Sequence, residues 1–139
     1  MKIINLFSAV LAGTIFSSSI ALAQVYVCDI TSIKRGGGIA SVIVFSVNRD
    51  ETEITVYDGY IKKYYDRPIE AEISVANPKR YTFKWEVKMS GNTNVFGQDL
   101  PGIRYRATYL RAKHTIRVRG FPIGYDNQYS GSGICRIEK

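Results

Sequence analysis

An alternation of apolar and polar side chains with a period of two runs through most of this 139-residue chain and constrains its fold more than any other feature. The pattern is clearest in the segment from Ile103 to Gly120, IRYRATYLRAKHTIRVRG. Because successive side chains of a β-strand point to opposite faces of its sheet, this segment is predicted to form a half-buried antiparallel hairpin. Its predicted inner face is Ile103, Tyr105, Ala107, Tyr109, Ile116 and Val118, and its outer face is Arg104, Arg106, Arg117 and Arg119.

The rest of the chain shows no sustained helical period, so the prediction is an all-β protein, an antiparallel meander of about eight strands. Asp58-Gly59 is typical of a type I′ hairpin turn and predicts that a strand begins at Tyr60. Pro68 interrupts that strand, which is predicted to be long and bent, with two short strands as the alternative. The predicted strands are Gln24–Ile33, Ile39–Asn48, Glu53–Tyr57, Tyr60–Val75, Tyr81–Met89, the two strands of the hairpin, and Gly133–Glu138.

The first 23 residues have the organisation of a secretory signal peptide. Lys2 is followed by an apolar run to Ile20, and Ala21-Leu22-Ala23 is the small-x-small pattern that signal peptidase cleaves. A transmembrane helix is the alternative, but the run is short and is broken by serines. The sequence therefore predicts a periplasmic or secreted protein without a membrane span, with one β domain over residues 24–139.

Two cysteines lie near the ends of the predicted domain, Cys28 and Cys135. In an oxidising compartment an isolated pair is expected to form a disulfide, and two free thiols are the alternative. A disulfide requires the first and last strands to be neighbours. Chain ends that meet in an antiparallel meander indicate a closed barrel, whereas a β-sandwich with joined terminal strands is the other possibility.

The chain carries a formal net charge of +7, which favours anionic partners by long-range attraction. Export argues against nucleic acid, so the expected partners are an anionic lipid, an acidic glycan or an acidic protein.

If the hairpin turns at Ala112-Lys113, Arg106 lies directly opposite Arg119, and like charges in that position destabilise a ladder by up to ~1 kcal/mol. Glu86 or a bound anion would relieve this repulsion. The predicted anion-binding residues are Arg104, Arg106, Arg117 and Arg119, with a plainly solvated basic face as the alternative.

The sequence predicts no catalytic residue, no cofactor and no metal site. His114 is the only histidine, and with two cysteines it supplies too few metal ligands. At an exposed hairpin tip it would also be poorly held for a catalytic triad. Glu70 and Glu72 share one strand face and are interpreted as a solvated acidic strip. The leading prediction is therefore a non-catalytic binding module.

Two other functions remain open. A carrier of a small apolar ligand would line a cavity with Tyr81, Phe83 and Trp85, although a small eight-stranded barrel is usually filled by its own side chains. An inhibitor of a secreted enzyme would insert one of the two long irregular segments, Ser90–Pro101 or Phe121–Ser132.

The end of the chain, from Gly124 to Cys135, follows the pattern G-Y-x-N-x-aromatic-x-G-x-G-x-C. With Tyr26-Val27-Cys28 and Asp58-Gly59, it resembles a family of small exported β-proteins of Gram-negative bacteria. The resemblance implies export and the disulfide and brings no activity. The aromatic-x-Cys opening is also similar to that of the periplasmic inhibitors of C-type lysozyme, but neither Ser90-Gly91 nor Ser130-Gly131 continues into their Ser-Gly-x-x-Tyr motif.

Overall fold

The computed structural model describes residues 23–34, 37–89 and 101–139 of the chain. The predicted signal peptide, except Ala23, and the predicted loop Ser90–Pro101, except Pro101, lie outside the described residues. Within them, eight antiparallel strands follow one another in a meander and close into a barrel, because the first strand also pairs with the last. The predicted barrel is confirmed. The strands are β1 (Gln24–Lys34), β2 (Val42–Val47), β3 (Ile54–Asp58), β4 (Ile69–Ala76), β5 (Arg80–Lys88), β6 (Gly102–Leu110), β7 (Thr115–Pro122) and β8 (Tyr129–Glu138).

The barrel interior is filled by inward-pointing apolar side chains, as the alternation of each strand predicts. Aromatic rings from different strands are in contact: the centroids of Tyr26 and Phe45 are 4.6 Å apart, and those of Phe45 and Phe83 are 4.9 Å apart. Close contacts of this kind add to the free energy gained from the buried area alone.

A disulfide joins β1 to β8, as predicted. Cys28 and Cys135 lie directly opposite each other in the ladder, with their Cα atoms 3.9 Å apart, although 107 positions separate them in the sequence. Both cysteines are buried. The disulfide therefore closes the barrel covalently at the seam between its first and last strands.

The predicted hairpin turn at Asp58-Gly59 is wrong, because residues Gly59–Tyr65 form a short helix, α1. Asp58 is its N-cap: a carboxylate oxygen, Oδ1, accepts a hydrogen bond from the amide of Ile61 at 2.9 Å. This bond satisfies an amide that would otherwise lack a partner at the start of the helix. Ile61 is fully buried, so this helix covers part of the core with an apolar side chain.

The predicted strand Tyr60–Val75 is correspondingly wrong in its first half. Asp66 ends α1 in the left-handed conformation, with φ of 51°, and its amide bonds back to carbonyls of the helix. β4 begins at Ile69, directly after Pro68, which agrees with the predicted interruption at that proline. From Ile69 onward β4 alternates half-buried and exposed side chains, as expected for a strand with one face on the core.

The β1–β8 seam is longer than the sequence indicates. β1 continues to Lys34, and β8 begins at Tyr129, inside the segment Phe121–Ser132 that was predicted to be irregular. Gly133 points inward, and a Cβ atom there would lie 1.9 Å from the carbonyl oxygen of Asp29 on β1. Glycine at this position is therefore what permits the two backbones to approach.

Candidate anion-binding site

The β6–β7 hairpin has the register that the sequence predicts. Leu110 pairs with Thr115, Arg106 lies directly opposite Arg119, and residues 111–114 form the turn. The arginines of both strands are exposed. The predicted inward residues are all buried, namely Ile103, Tyr105, Ala107, Tyr109, Ile116 and Val118.

The neighbouring strands extend the arginine pair into a line of cations across the outer surface. Lys84 of β5 is the ladder partner of Arg106, and Ser130 of β8 pairs with Arg119 on one side and with Lys34 of β1 on the other. Adjacent strands lie about 4.8 Å apart. Lys84, Arg106 and Arg119 therefore occupy successive positions, and Lys34 follows after Ser130. We call Lys84, Arg106, Arg119 and Lys34 the cationic row.

Little negative charge balances this part of the surface. Glu72 lies beyond Lys84, with its Oε1 atom 3.9 Å from the Lys84 ammonium group, and both side chains are well exposed. Among the described residues, no carboxylate forms an ion pair with Arg106, Arg117 or Arg119. Repulsion between Arg106 and Arg119 is thus uncompensated in this part of the chain, and an anion placed between them would relieve it.

Arg104 stands apart from the other predicted arginines. Its Nε atom lies 3.5 Å from an oxygen of Glu86, its ladder partner on β5. Glu86 therefore balances Arg104 and not the Arg106–Arg119 pair. The structure brings together three of the four predicted anion-binding residues, Arg106, Arg117 and Arg119, and leaves Arg104 outside their site.

A groove with a volume of about 740 Å³ runs over the outer surface of β6, β7 and β8 and is lined by Arg106, Arg117 and Arg119. We call it the larger groove. Leu110 and Ile134 line one end of it, and Phe121 also lines it, on the far side of Arg119. Its volume is in the range of sites that hold small molecules.

A second groove of about 470 Å³ adjoins the larger one and shares Arg117, Arg119 and Ser132 with it. We call it the smaller groove. Its remaining lining is polar or small and consists of Lys34, Gln128, Ser130 and Gly131. The smaller groove is the polar part of one continuous depression, and Leu110 and Ile134 form the apolar end of that depression.

The depression arises from the unequal lengths of neighbouring side chains. Arg117 and Arg119 of β7 are paired with Ser132 and Ser130 of β8, so two long side chains stand beside two short ones. The serine hydroxyls are therefore within the recess that the arginines border. Guanidinium, ammonium, hydroxyl and amide groups are all hydrogen-bond donors, and the guanidinium fork matches the oxygens of phosphate and carboxylate.

Lys84, Lys34, Ser130 and Ser132 were not identified by sequence reasoning. The β5–β6 register, which pairs Lys84 with Arg106, is set across the long segment after Met89 and cannot be read from a tight turn. For Lys34 a signal existed, since Cys28 opposite Cys135 fixes the β1–β8 register. A bulge between Ile30 and Ser32 then shifts that register by one residue.

The other polar candidates do not join this site. His114 lies in the β6–β7 turn, is exposed, and has its Nδ1 atom 2.8 Å from the Tyr109 hydroxyl. Glu70 and Glu72 are exposed on β4, as predicted. In the part of the chain that the structure describes, no cluster of three or more His, Cys, Asp or Glu side chains is placed to hold a metal ion.

The aromatic residues considered for a ligand cavity are packed in the core. Tyr81, Phe83 and Trp85 are buried, and none of them lines either groove. The ring of Trp85 stacks on Tyr105, with centroids 5.1 Å apart. The Tyr81 hydroxyl donates to a carboxylate oxygen of Glu51 at 2.6 Å, and burial together with this bond raises the pKa of Tyr81.

A buried titratable group lies at the end of β3. Asp58 is only 5% exposed, and burial raises its pKa even though the amides of Ile61 and Tyr60 stabilise the carboxylate. Nearby, the Tyr105 hydroxyl donates to the Gly38 carbonyl at 2.8 Å. Burial, and after it the charge of Asp58, raise the pKa of Tyr105. Asp58 serves the fold through its cap and does not line either groove.

Comparisons of this chain with protein-family models, with curated proteins and with solved structures found no match. Among the described residues, no helix has the length and apolar character needed to cross a membrane.

Proposed function

We propose that this protein is a non-catalytic, exported binding module that recognises an anionic envelope component or an acidic protein through the arginine-rich outer face of β6 and β7. One observation carries the proposal: Arg106 lies directly opposite Arg119 in a row of cations. No carboxylate among the described residues forms an ion pair with either arginine. An anion supplied by a partner would stabilise this arrangement.

The chemistry of the groove linings supports binding over catalysis. The polar side chains are arginine, lysine, serine, threonine and glutamine. Arginine keeps its charge across the physiological pH range and offers its donors in a planar fork, so it holds an anion without exchanging protons with it. The net charge of +7 adds long-range attraction that raises the rate of encounter with an anionic partner.

The disulfide supports the exported location, periplasmic or secreted. Disulfides persist in oxidising compartments and are rare in the reducing cytosol. The Cys28–Cys135 pair thus agrees with the signal peptide that the sequence predicts over residues 1–23.

The proposal is tested by removing two charges from the cationic row with Arg106→Gln and Arg119→Gln together. The probes are vesicles containing phosphatidylglycerol, lipopolysaccharide, an acidic polysaccharide and polyglutamate, each at low and high salt. We expect the wild-type protein to bind at least one probe with an affinity that falls as salt rises. The double variant should bind that probe at least about tenfold more weakly, because it loses two charge-assisted contacts.

The matched control is Lys62→Gln with Lys63→Gln, which removes the same net charge from exposed positions on α1 that line neither groove. This control should retain most of the binding. Equal losses in the two double variants would show attraction by net charge alone and would overturn the proposed site. Failure of the wild-type protein to bind any of the four probes would overturn it as well.

A further inference from the structure

The depression on the outer surface changes character along its length, and this gradient indicates the kind of anion that fits. Three rows of ladder partners follow one another along β7. The first contains Arg119 and Ser130, the second contains Arg117 and Ser132, and the third contains Leu110, Thr115 and Ile134. Thr115 and Arg119 are four residues apart, so the polar and apolar ends are separated by about 13 Å.

The apolar end is exposed to solvent. Ile134 is 63% exposed and Leu110 is 39% exposed, and they flank Thr115 from opposite sides in one row. Ile134 lies on the outer side of a closed barrel whose core is complete without it. Two large apolar side chains at one end of a groove that holds three arginines form a surface suited to an amphiphile.

We propose, building on the proposed function, that the depression binds a single-chain amphiphile with a phosphate or carboxylate head. The head lies at the smaller groove, among Arg117, Arg119 and Lys34, where the Ser130 and Ser132 hydroxyls add donors. The chain extends along the larger groove over Thr115 to Leu110 and Ile134. The about 13 Å between the two ends corresponds to a chain of roughly ten carbon atoms.

Concavity favours this occupant over a flat membrane surface or a folded acidic protein. The recess is bordered by the arginines of β7 and also lined by Ser130, Gly131 and Ser132 of β8, so short hydroxyl donors stand beside long guanidinium donors. A narrow molecule reaches these donors and the apolar row together. A flat surface contacts the arginine tips and leaves both the hydroxyls and the groove volume unused.

The test measures the affinity of the wild-type domain for decyl phosphate below its critical micelle concentration, for decanoate, for inorganic phosphate and for decanol. We expect decyl phosphate or decanoate to bind at least roughly tenfold more tightly than inorganic phosphate or decanol, because only the amphiphiles use both ends. Stronger binding of one amphiphile than the other identifies the head group as phosphate or carboxylate.

Two variants separate the ends of the groove. Leu110→Ser with Ile134→Ser should lower the affinity for the amphiphile to the affinity for inorganic phosphate. The affinity for inorganic phosphate itself should stay unchanged. Arg117→Gln with Arg119→Gln should weaken the binding of both amphiphile and phosphate. The control is Val42→Ser, which removes another exposed apolar side chain, 43% exposed, that lines neither groove and should leave all affinities unchanged.

The outcomes distinguish this inference from the proposed function on which it rests. Equal affinities for decyl phosphate and inorganic phosphate, or no effect of the Leu110 and Ile134 substitutions, would overturn the amphiphile and leave the anion site standing. Binding of polyglutamate that depends on Arg106 and Arg119, without binding of either amphiphile, would also overturn the amphiphile and support the anion site. If substituting the arginines changed no anion's binding, both proposals would fail.

Discussion

The side chain of Asp58 makes two opposing contributions to the stability of the fold, one favourable as a helix cap and one unfavourable as a buried charge. As the N-cap of α1 it accepts a hydrogen bond from the Ile61 amide, a contact whose loss in similar settings costs about 1 kcal/mol. As a carboxylate that is 5% exposed, it resists ionisation, and its pKa is raised above the usual value. The fold therefore uses the side chain's oxygen but gains nothing from its charge.

Asp58→Asn should separate these contributions, since asparagine caps a helix about as well as aspartate. A carboxyl whose pKa is raised on folding stabilises the protein most below its unfolded pKa, and this advantage is lost as the pH rises through the folded pKa. From about pH 4 upward, the wild type should therefore lose stability relative to the Asn variant. Free energies of unfolding in urea at pH 4, 5.5 and 7 measure the difference between them.

Asp50→Asn, at an exposed position in the turn after β2, is the control for a general change in net charge. The Asp58 interpretation would be wrong if the difference between wild type and Asp58→Asn stayed constant over this pH range. It would also be wrong if the difference moved in the opposite direction.

At the residue scale, the site was predictable only where local rules set the geometry. Arg106 opposite Arg119 follows from a tight turn between two regular strands, so counting residues from Ala112-Lys113 gives the register. Lys34 pairs with Ser130 because a bulge in β1 shifts the register by one residue, and no local sequence pattern predicts that bulge. The pairing of Lys84 with Arg106 depends on how two strands align across a long connection, which is a tertiary property.

At the scale of elements, β8 shows why part of the chain looked irregular. Positions 130–133 alternate serine and glycine, and glycine has a low intrinsic preference for strands. The segment is nevertheless a strand, because its backbone pairs with β1 on one side and with β7 on the other. The close approach of β1 at Asp29 leaves no room for a side chain at Gly133. The same small residues produce the outer recess, so the packing of the seam and the shape of the groove have a common origin.

Gly133→Ala is expected to destabilise the barrel by about 3 kcal/mol or more, because the new methyl group would meet a backbone carbonyl that cannot move without disturbing the ladder. Gly59→Ala is the matched control, because alanine favours a helix over glycine by up to about 1 kcal/mol. Apart from the chain neighbours of Gly59 and the backbone of its own helix, no described atom lies within 4 Å of the place that the new methyl group would take. Urea unfolding should therefore move in opposite directions for the two variants. Similar stabilities for both would contradict the close approach.

The helix α1 marks the limit of pattern reading at this scale. Asp58-Gly59 is typical of a hairpin turn, and the apolar parity from Ile61 onward fits a strand. Ile61 can be buried from a short helix as well as from a strand. The hydrogen bond from the Ile61 amide to the Asp58 side chain caps the helix and favours it over the strand. The long alternating strands β5 and β6 leave no such ambiguity and were predicted within one residue, whereas β2 begins at Val42, three residues after its predicted start.

At the scale of the whole molecule, closure depends on a contact between the two ends of the domain. Barrel closure was predictable because Cys28 and Cys135 are the only cysteines and lie in the first and last strands. Strand alternation alone would have fitted a sandwich as well. One long-range covalent contact thus supplied the information that local patterns lack.

Replacing both cysteines by alanine should lower the free energy of unfolding by about 4 kcal/mol, because the disulfide closes a loop across 107 positions and restricts the unfolded chain. Unfolding in urea of the variant and of the oxidised and reduced wild type measures the effect. The reduced wild type should match the variant. A loss below about 1 kcal/mol would show that the ladder between β1 and β8 closes the barrel without covalent help.

The β1–β8 seam has a consequence for the connectivity of the chain. The side chain of Gln24 donates a hydrogen bond to the Glu138 carbonyl, so the two ends of the barrel segment lie side by side. A short peptide could join them and new ends could be opened at the exposed Pro78-Lys79 turn, which yields a circular permutant with the same ring of strands. In that molecule a peptide linker would join β8 to β1 covalently, so the Cys28–Cys135 disulfide would no longer be needed to close the barrel.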